Sequence, residues 1–347
     1  MRGPEGPRIP VAIVDPHTLL GRDVKAVLEE RAFPVTKLHL FHTQNVGSGL
    51  LAEGDDEATY VAPVEPGALD LSRIAFLCGS PEGTARFLKT RSPSDGCIAI
   101  DLSGAAAPVA PPVPGYAPVP GPFVVPEDDT APLPPGGLLR LHDPTAVVVA
   151  DLLKRLSTAA GSPLAGATVA VDRPVSELGK AALSELFEQA LALATFRPIP
   201  KEILGTQVAF NMHVPADTPA YEARVEREIR TLLGADGELP LTILSVRGGT
   251  FHGHLIRIEA RFSTPVPDEA TLRAALFQKG SPLEDVDPEN LSGPVESAAR
   301  DETLVLRIAS HSGEARGRIT ITAASDHLRR AGALAAVKTA ERLLAKL

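Results

Sequence analysis

The chain has 347 residues, of which 44% are hydrophobic and 22% are charged. This length and composition predict two folded domains, and they exclude both a small disulfide-stapled scaffold and a disordered chain. The net charge is −9 and no run of lysine or arginine stands out, so we expect neither nucleic acid nor a membrane surface as a partner. With no apolar run of bilayer length and no signal region, its two cysteines are expected to be reduced thiols of a cytoplasmic protein.

The first hundred residues alternate strand signals with helix or loop signals. Ile9–Val14 is typical of a strand buried on both faces, and apolar residues at helical spacing follow from Leu19 to Arg31. Further predicted strands are Lys37–Phe41, Ile74–Leu77 and Gly96–Ile100. The alternation predicts a doubly wound parallel sheet of the Rossmann type.

Residues 104–137 hold eleven of the 33 prolines, which remove the backbone donors that helices and sheets need. We predict an extended loop with one short strand, Pro122–Pro126. An interdomain linker and a crossover packed on the surface fit this composition equally well. An interaction segment for an aromatic groove is a third hypothesis, although no clean series of PxxP motifs is present.

The remainder of the chain predicts an α+β region. Pro144 fits the first turn of a helix that Asp143 caps and that ends at Leu156. The predicted strands are Thr168–Val171, Gln207–Phe210, Leu241–Val246, His254–Phe262, Thr303–Ile308 and Gly317–Ala323. The other predicted helices are Gly179–Ala194, Tyr221–Leu233, Asp268–Phe277 and Asp326–Leu347, the last of which is expected to return to the first domain.

Short segments along nearly the whole chain together carry a resemblance to one enzyme family. They are Val11–Val14, Gly21–Val24, Val27–Pro34, Val124–Glu127, Gly179–Ala181, Val208–Asn211, Gly253–His254 and Asp326–Arg329. In order and spacing they resemble aspartate-β-semialdehyde dehydrogenase. The resemblance implies a homodimer with a Rossmann-type NAD(P)-binding domain, residues 1–143 and 324–347, and an α+β catalytic and dimerisation domain, residues 144–323.

The resemblance also implies a reaction, whose nucleophile this sequence lacks. Active members reduce aspartyl phosphate with NADPH: a cysteine thiolate attacks, hydride reduces the thioester and a histidine handles the proton. The family's cysteine motif falls on Leu141–Thr145 and places Pro144 at the nucleophile. Thr145 is a poor substitute, because an alkoxide is far costlier to form than a thiolate and Asp143 opposes it.

The phosphate-binding loop has changed as well. The family's Gly-Ala-Thr-Gly-x-x-Gly falls on Asp15-Pro-His-Thr18-Leu-Leu-Gly21, so Gly21 alone remains of the three glycines. We expect Asp15 to cap the following helix and to fill the anion site with a carboxylate that repels phosphate. Ordinary NADP binding is therefore not expected.

The substrate site is partly retained. Arg247 and His254 stand seven apart, as the family's substrate arginine and acid–base histidine do, and Arg224 stands where the family has a lysine. Arg173 falls on a family glutamine, and Glu177-Leu178 replaces a Gly-Ala pair. The phosphate-binding arginine is missing from Ser103–Ala106, and His327 replaces an asparagine near the nicotinamide.

Two hypotheses follow, of which the leading one is a catalytically inactive relative similar to the family's Usg-like branch. It binds a small carboxylate, held by Arg247 and Arg224, or another protein. The alternative is an active NADP-dependent oxidoreductase with altered chemistry or substrate. The favoured interpretation of the retained arginines and histidine is that they are ordinary polar residues on an inherited frame. No metal is expected, because His252 and His254 have no third ligand at a suitable spacing.

Overall fold

In a computed structural model of the chain, the described residues are 7–43, 49–51, 59–90, 96–104, 123–124, 137–235, 239–287, 289–290, 292–311 and 317–345. The chain divides into two compact units, residues 1–142 with 332–347 and residues 143–331. Within the described ranges, no helix is long and apolar enough to span a membrane. Most of the proline-rich stretch lies outside these ranges, so the three hypotheses for it stay predictions.

The first unit is built on a doubly wound sheet. Its strands are β1 (Ile9–Val14), β2 (Val35–His42), β3 (Gly49–Leu51), β4 (Thr59–Pro63), β5 (Ile74–Leu77), β6 (Ile98–Asp101), β7 (Phe123–Val124) and β8 (Leu138–Leu141). Its helices in this part of the chain are α1 (Leu19–Glu30) and α2 (Pro81–Thr90). The described strands run in the order β3-β4-β2-β1-β5-β6-β8-β7. From β4 to β8 they are parallel and follow the 3-2-1-4-5-6 order of dinucleotide-binding folds, which confirms the Rossmann-type prediction.

Apolar side chains cover both faces of this sheet, as the continuous apolar runs predict. On one face Val11 and Ile13 share a buried cluster with Val24 of α1. On the other face Ala12 and Val14 belong to a second buried cluster. Because both faces are covered, the carboxyl ends of the central strands are held in fixed positions.

The second unit contains a mixed sheet with helices on one face. Its strands are β9 (Leu164–Arg173), β10 (Met212–His213), β11 (Leu241–Gly248), β12 (His254–Phe262), β13 (Leu283–Asp285), β14 (Thr303–His311) and β15 (Arg318–Ser325). Its helices are α3 (Pro144–Ala160), α4 (Lys180–Ala194), α5 (Thr218–Leu233), α6 (Glu269–Leu276) and α7 (Pro294–Ser297). The strand order is β10-β11-β9-β12-β15-β14-β13, with β9 and β11 parallel and β12 antiparallel to both of its neighbours.

One face of this sheet packs against helices while the other stays partly open. In β12 the buried Ile256 and Ile258 alternate with the exposed Arg257, so the predicted half-exposed antiparallel strand is confirmed. Helices α3, α5 and α6 pack on the buried side, against β12, β11 and β14.

The predicted strand Gln207–Phe210 is wrong. The segment is irregular, and its backbone is bonded to a side chain of α4 instead of a neighbouring strand. The Gln189 carboxamide accepts from the N–H groups of Val208 and Ala209, at 2.8 and 3.1 Å, and donates to the carbonyls of Pro200 and Thr206, both at 2.8 Å. A fully buried glutamine therefore fixes a segment that its apolar residues alone assign to a sheet.

The predicted helix Asp326–Leu347 is shorter and interrupted. A π-helical turn, Arg329–Ala333, precedes α8 (Leu334–Leu344). Helix α8 packs against α1 in the first unit, where the Arg31 guanidinium makes two bonds to the Glu341 carboxylate, at 2.8 and 2.7 Å.

Candidate functional site

Pro144 opens helix α3 in the second unit, at the position of the family's nucleophile. The Asp143 carboxylate accepts from the Thr145 N–H at 2.9 Å, so the predicted cap is confirmed. The Thr145 hydroxyl lies 2.7 Å from the hydroxyl of Tyr221 on α5, and both side chains are buried. Burial and the charge of Asp143 raise the pKa of Tyr221, so this phenol is not a base for the Thr145 hydroxyl.

Arg224 is bonded to the cap residue. Its guanidinium lies 2.8 Å from Asp143 Oδ2, and the Asp143 N–H donates to Glu228 Oε2 at 2.5 Å. Burial opposes the charge of Arg224, but Asp143 outweighs burial and raises the pKa of the guanidinium. Arg224 therefore binds the residue that caps α3. That Arg224 also holds a ligand stays a prediction.

The sheet register brings Arg173, Arg247 and His254 together. Strands β9 and β11 are parallel, and Arg247 stands beside Arg173 at their carboxyl ends. Strand β12 runs the opposite way, so its first residue, His254, lies at the same edge of the sheet. All three side chains are at least 94% buried, since their exposed fractions are 6%, 5% and 4%.

The carboxylate of Glu177 lies at the centre of these three residues, in a short 3-10 helix, Val175–Leu178, that follows β9. Its Oε2 accepts from Arg173 Nε at 2.8 Å and from Arg247 Nη2 at 2.9 Å. Its Oε1 lies 2.7 Å from His254 Nε2. Burial by itself raises the pKa of a carboxyl group, but the hydrogen bond from His254 and the charges of His254 and Arg173 outweigh it and hold the pKa of Glu177 far below its usual range. Because an ionised carboxylate only accepts, His254 Nε2 carries the hydrogen of this bond.

Further contacts hold the same group of residues. The Arg173 guanidinium also lies 3.1 Å from Asp217 Oδ2, and it stacks 3.8 Å from the centroid of the Tyr221 ring. His327 is buried, with its ring centroid 4.8 Å from that of His254. Burial and the charge of His254 lower the pKa of His327 to about 4, so its ring is neutral near neutral pH.

Sequence reasoning placed Glu177 only as a replacement for a small residue and missed it as a member of this cluster. The local signal for it is its position four residues after Arg173, with which it pairs although Arg173 ends strand β9 and Glu177 lies in the following 3-10 helix. Its bonds to Arg247 and His254 span 70 and 77 positions, so no local sequence pattern predicts them.

A separate group of residues lies in the first unit, at the carboxyl ends of β1, β2 and β5. Asp15 follows β1 and is buried, with a φ angle of 60°. Its carboxylate accepts from the backbone N–H of Thr43 at 2.9 Å and from the Thr43 hydroxyl at 2.7 Å. A side chain at Gly79, just after β5, would collide with the same carboxylate. Asp15 therefore lies in the crevice where doubly wound sheets bind dinucleotides.

The prediction that Asp15 caps α1 is wrong. Thr18 is the cap: its hydroxyl accepts from the Gly21 N–H at 3.0 Å and lies 2.9 Å from the Cys78 carbonyl. A cap must stand directly before the first helical turn, and Thr18 does so, whereas the left-handed backbone of Asp15 directs its carboxylate to β2. At Gly21 a Cβ would lie 2.5 Å from the Asp15 carbonyl oxygen, so this glycine serves close packing of the loop on the helix.

The residues of this crevice do not fit the phosphates of NADP. The crevice holds an internal carboxylate, which repels phosphate, and the Gly21 N–H is already bonded to Thr18. The two glycines lost from the family's loop, at Asp15 and Thr18, thus each have a structural counterpart.

Neither cysteine of the chain lies in the cluster around Glu177. Cys78 and Cys97 are buried in the first unit and form no disulfide. Burial and the charge of Asp15 raise the pKa of the Cys78 thiol, which keeps it protonated. Within the described ranges, no group of three or more His, Cys, Asp or Glu side chains is arranged to hold a metal ion.

Comparisons with known proteins find relatives that match almost the whole chain. No family model matches the chain. A USG-1 protein homolog from Azotobacter vinelandii is 28% identical over 354 residues, which cover 97% of this chain and 98% of the relative. The structure of a probable aspartate-semialdehyde dehydrogenase from Pseudomonas aeruginosa is 26% identical, covers 97% of this chain and 98% of its own, and has a TM-score of 0.77. Aspartate semialdehyde dehydrogenase from Candida albicans, solved with NADP, shares the fold at 13% identity and a TM-score of 0.68, over 98% of this chain and 99% of its own.

These likenesses extend over almost the full length of each chain, and other curated matches are also named aspartate-semialdehyde dehydrogenase. Over almost its full length the chain therefore resembles the aspartate-semialdehyde dehydrogenase family and its Usg-like branch.

Proposed function

We propose that this protein is a catalytically inactive member of the family with a non-catalytic binding or regulatory role. The observation that carries the proposal is Pro144 at the start of α3, where the family's reaction needs a thiolate. The Thr145 hydroxyl, next along the chain, is bonded to Tyr221, whose raised pKa makes this phenol a poor base for activating it. Without a nucleophile the acyl-enzyme step is lost.

Loss of the cofactor accompanies loss of the nucleophile. The buried Asp15 carboxylate and the capped start of α1 support a chain that does not bind NADP in the family's manner. Both buried cysteines are outside any disulfide, which supports a cytoplasmic protein.

The partners we propose are a second copy of the chain and another protein. The open face of the second unit's sheet, with Leu244 53% exposed, supports a homodimer formed there. Phe196 and Phe210 are 98% and 83% exposed, which is unusual for large aromatic side chains and supports docking of a further protein. A small carboxylate is the less favoured partner, because Glu177 already engages Arg247.

The test is a turnover assay of the purified protein with aspartate semialdehyde, inorganic phosphate and NADP. We expect no phosphate-dependent formation of NADPH, and an active family enzyme assayed in parallel controls for the reagents. Clear turnover that scales with protein concentration would overturn the proposal.

The alternative, an active NADP-dependent oxidoreductase with altered chemistry or substrate, draws on the retention of Arg247 and His254 at one edge of the sheet. Titration with NADPH separates the two: micromolar binding favours the enzyme, and no binding at millimolar NADPH favours the inactive protein.

A further inference from the structure

Three cationic or donor side chains of the second unit converge on one point from three strands. Arg173, Arg247 and His254 come from β9, β11 and β12, whose pairing fixes their positions independently of Glu177. Two guanidinium groups and an imidazole N–H around one point are the donor set that recognises a carboxylate.

The occupant of that point is a side chain of the same polypeptide. Glu177 fills it with bonds of 2.8, 2.9 and 2.7 Å, and it belongs to a different element from all three of its partners. Its side chain is 14% exposed, so one edge of the site reaches solvent. A small anion from solution can therefore reach the same donors once Glu177 is absent.

The site offers more hydrogen-bonding groups than Glu177 uses. Arg247 Nε and both ring nitrogens of His327 are buried without a hydrogen-bond partner among the residues that the structure describes. Orphaned buried polar groups are uncommon in folded proteins, and they mark places where a ligand or ordered water completes the bonding.

We propose that Glu177 is a tethered ligand that occupies a carboxylate-binding site in cis, and that this site takes a free small carboxylate only when Glu177 is removed. The inference rests on the proposed function, because a site filled by its own chain has no substrate-binding role. Tethering gives the Glu177 carboxylate an effective concentration that free metabolites do not match. This site of the wild-type protein is therefore closed to small carboxylates, which favours a macromolecular partner.

The experiment is chemical rescue of Glu177→Ala by acetate or succinate, followed as the midpoint of thermal unfolding. We expect the variant to unfold at a lower temperature than wild type in chloride. Each carboxylate should then raise its midpoint saturably, by about 2–5 °C at ten times the dissociation constant, at constant ionic strength. Wild type should respond to carboxylate no more than to chloride.

Glu226→Ala is the matched control, because Glu226 also pairs with an arginine four residues away, Arg230, at 2.7 Å, but both side chains are more exposed than those around Glu177. It should show no carboxylate response. If Glu177→Ala fails to fold, the same titration is made on Glu177→Ser, whose short polar side chain leaves the site open. Equal responses to chloride and carboxylate in the Glu177 variant, or an equal carboxylate response in wild type, would overturn the inference.

Failure of this inference is distinguishable from failure of the proposed function. If carboxylate does not stabilise the Glu177 variant and the wild type shows no turnover, only the tethered-ligand inference fails. Turnover by the wild type removes the proposed function whatever the rescue shows.

Discussion

Asp15 and Glu177 are both buried carboxylates, one in each unit, but they are held by different chemistry. Asp15 accepts from the neutral N–H and hydroxyl of Thr43. Glu177 accepts from two guanidinium groups and an imidazole. Removing the Asp15 carboxylate leaves neutral donors, whereas removing the Glu177 carboxylate leaves buried cations without their counter-charge. The partners of a buried carboxylate therefore decide how much free energy of unfolding is lost when it is removed.

The largest effect is expected for Glu177→Gln, which keeps the shape of the side chain and removes its charge. Arg173 and Arg247 then lose their shared counter-charge, and we expect a loss of about 3–5 kcal/mol in the free energy of unfolding. Urea unfolding at neutral pH measures it, with Glu226→Gln as the exposed control at about 0.3–0.5 kcal/mol. A cost no larger than that of the control would show that the cluster is energetically unimportant.

The pH dependence of the protein's stability, through His327, tests the same cluster. Its pKa falls from 6.5 to about 4 in the folded protein, so the unfolded chain takes up a proton first as the pH drops. Stability is therefore full above about pH 6.5 and declines toward pH 4, with about 2 kcal/mol lost by pH 5. His327→Asn should flatten this decline, measured as the difference in urea unfolding between pH 7 and pH 5.

The groups that act on His327 are Glu177 and Asp326, which raise its pKa, and His254 and His252, which lower it. They are present in both proteins, so the comparison with wild type isolates His327. A variant whose pH dependence equals that of wild type contradicts the lowered pKa. Below about pH 4.5 both proteins should lose further stability, because the lowered pKa of Glu177 makes its contribution vanish on acidification.

Asp15 should cost less than Glu177. Loss of its two neutral hydrogen bonds in Asp15→Gly is expected to destabilise the protein by about 1–2 kcal/mol. Asp15→Ala should cost about 1 kcal/mol more than the glycine variant, because the φ angle of 60° suits glycine. Urea unfolding of the two variants measures the difference, and an alanine variant as stable as the glycine variant would contradict the left-handed backbone.

The smallest effect is expected at the cap of α1. Thr18→Ala leaves the Gly21 N–H without its acceptor and should cost about 1 kcal/mol. Thr18→Ser keeps the hydroxyl and should stay near wild type. Equal losses for serine and alanine in urea unfolding would assign the effect to the methyl group instead of the cap.

Features of the fold that local patterns encode were predictable from the sequence, whereas features fixed by contacts between distant residues were not. Strand β1, helix α1 and the Asp143 cap are encoded by patterns within a few residues, and they were predictable. The cap at Thr18 was mistaken for Asp15 because the decisive contact of Asp15 is with Thr43, 28 positions away. The backbone of Val208 is fixed by Gln189 across a similar distance, so its β-prone neighbours misled the prediction.

The candidate site shows the same limit. Arg247 and His254 were found through their resemblance to a family pattern, and the structure brings them to one sheet edge. Glu177 was visible only as a departure from that pattern. Which partners a new carboxylate meets depends on the strand order of the second unit, and this order is not written in the neighbouring residues.

The placement of Glu177 also bears on the history of the chain. Under the proposed function, a reversion of Pro144 to cysteine would restore a thiol while Arg247 and His254 remain bonded to Glu177. Reversion of Glu177 alone would expose buried arginines without returning a nucleophile. Each single step back is therefore neutral or harmful, and selection has no gradient along which to recover the enzyme. Once such a substitution is fixed, single reversions do not restore the enzyme, and the lineage keeps whatever new role the fold has taken.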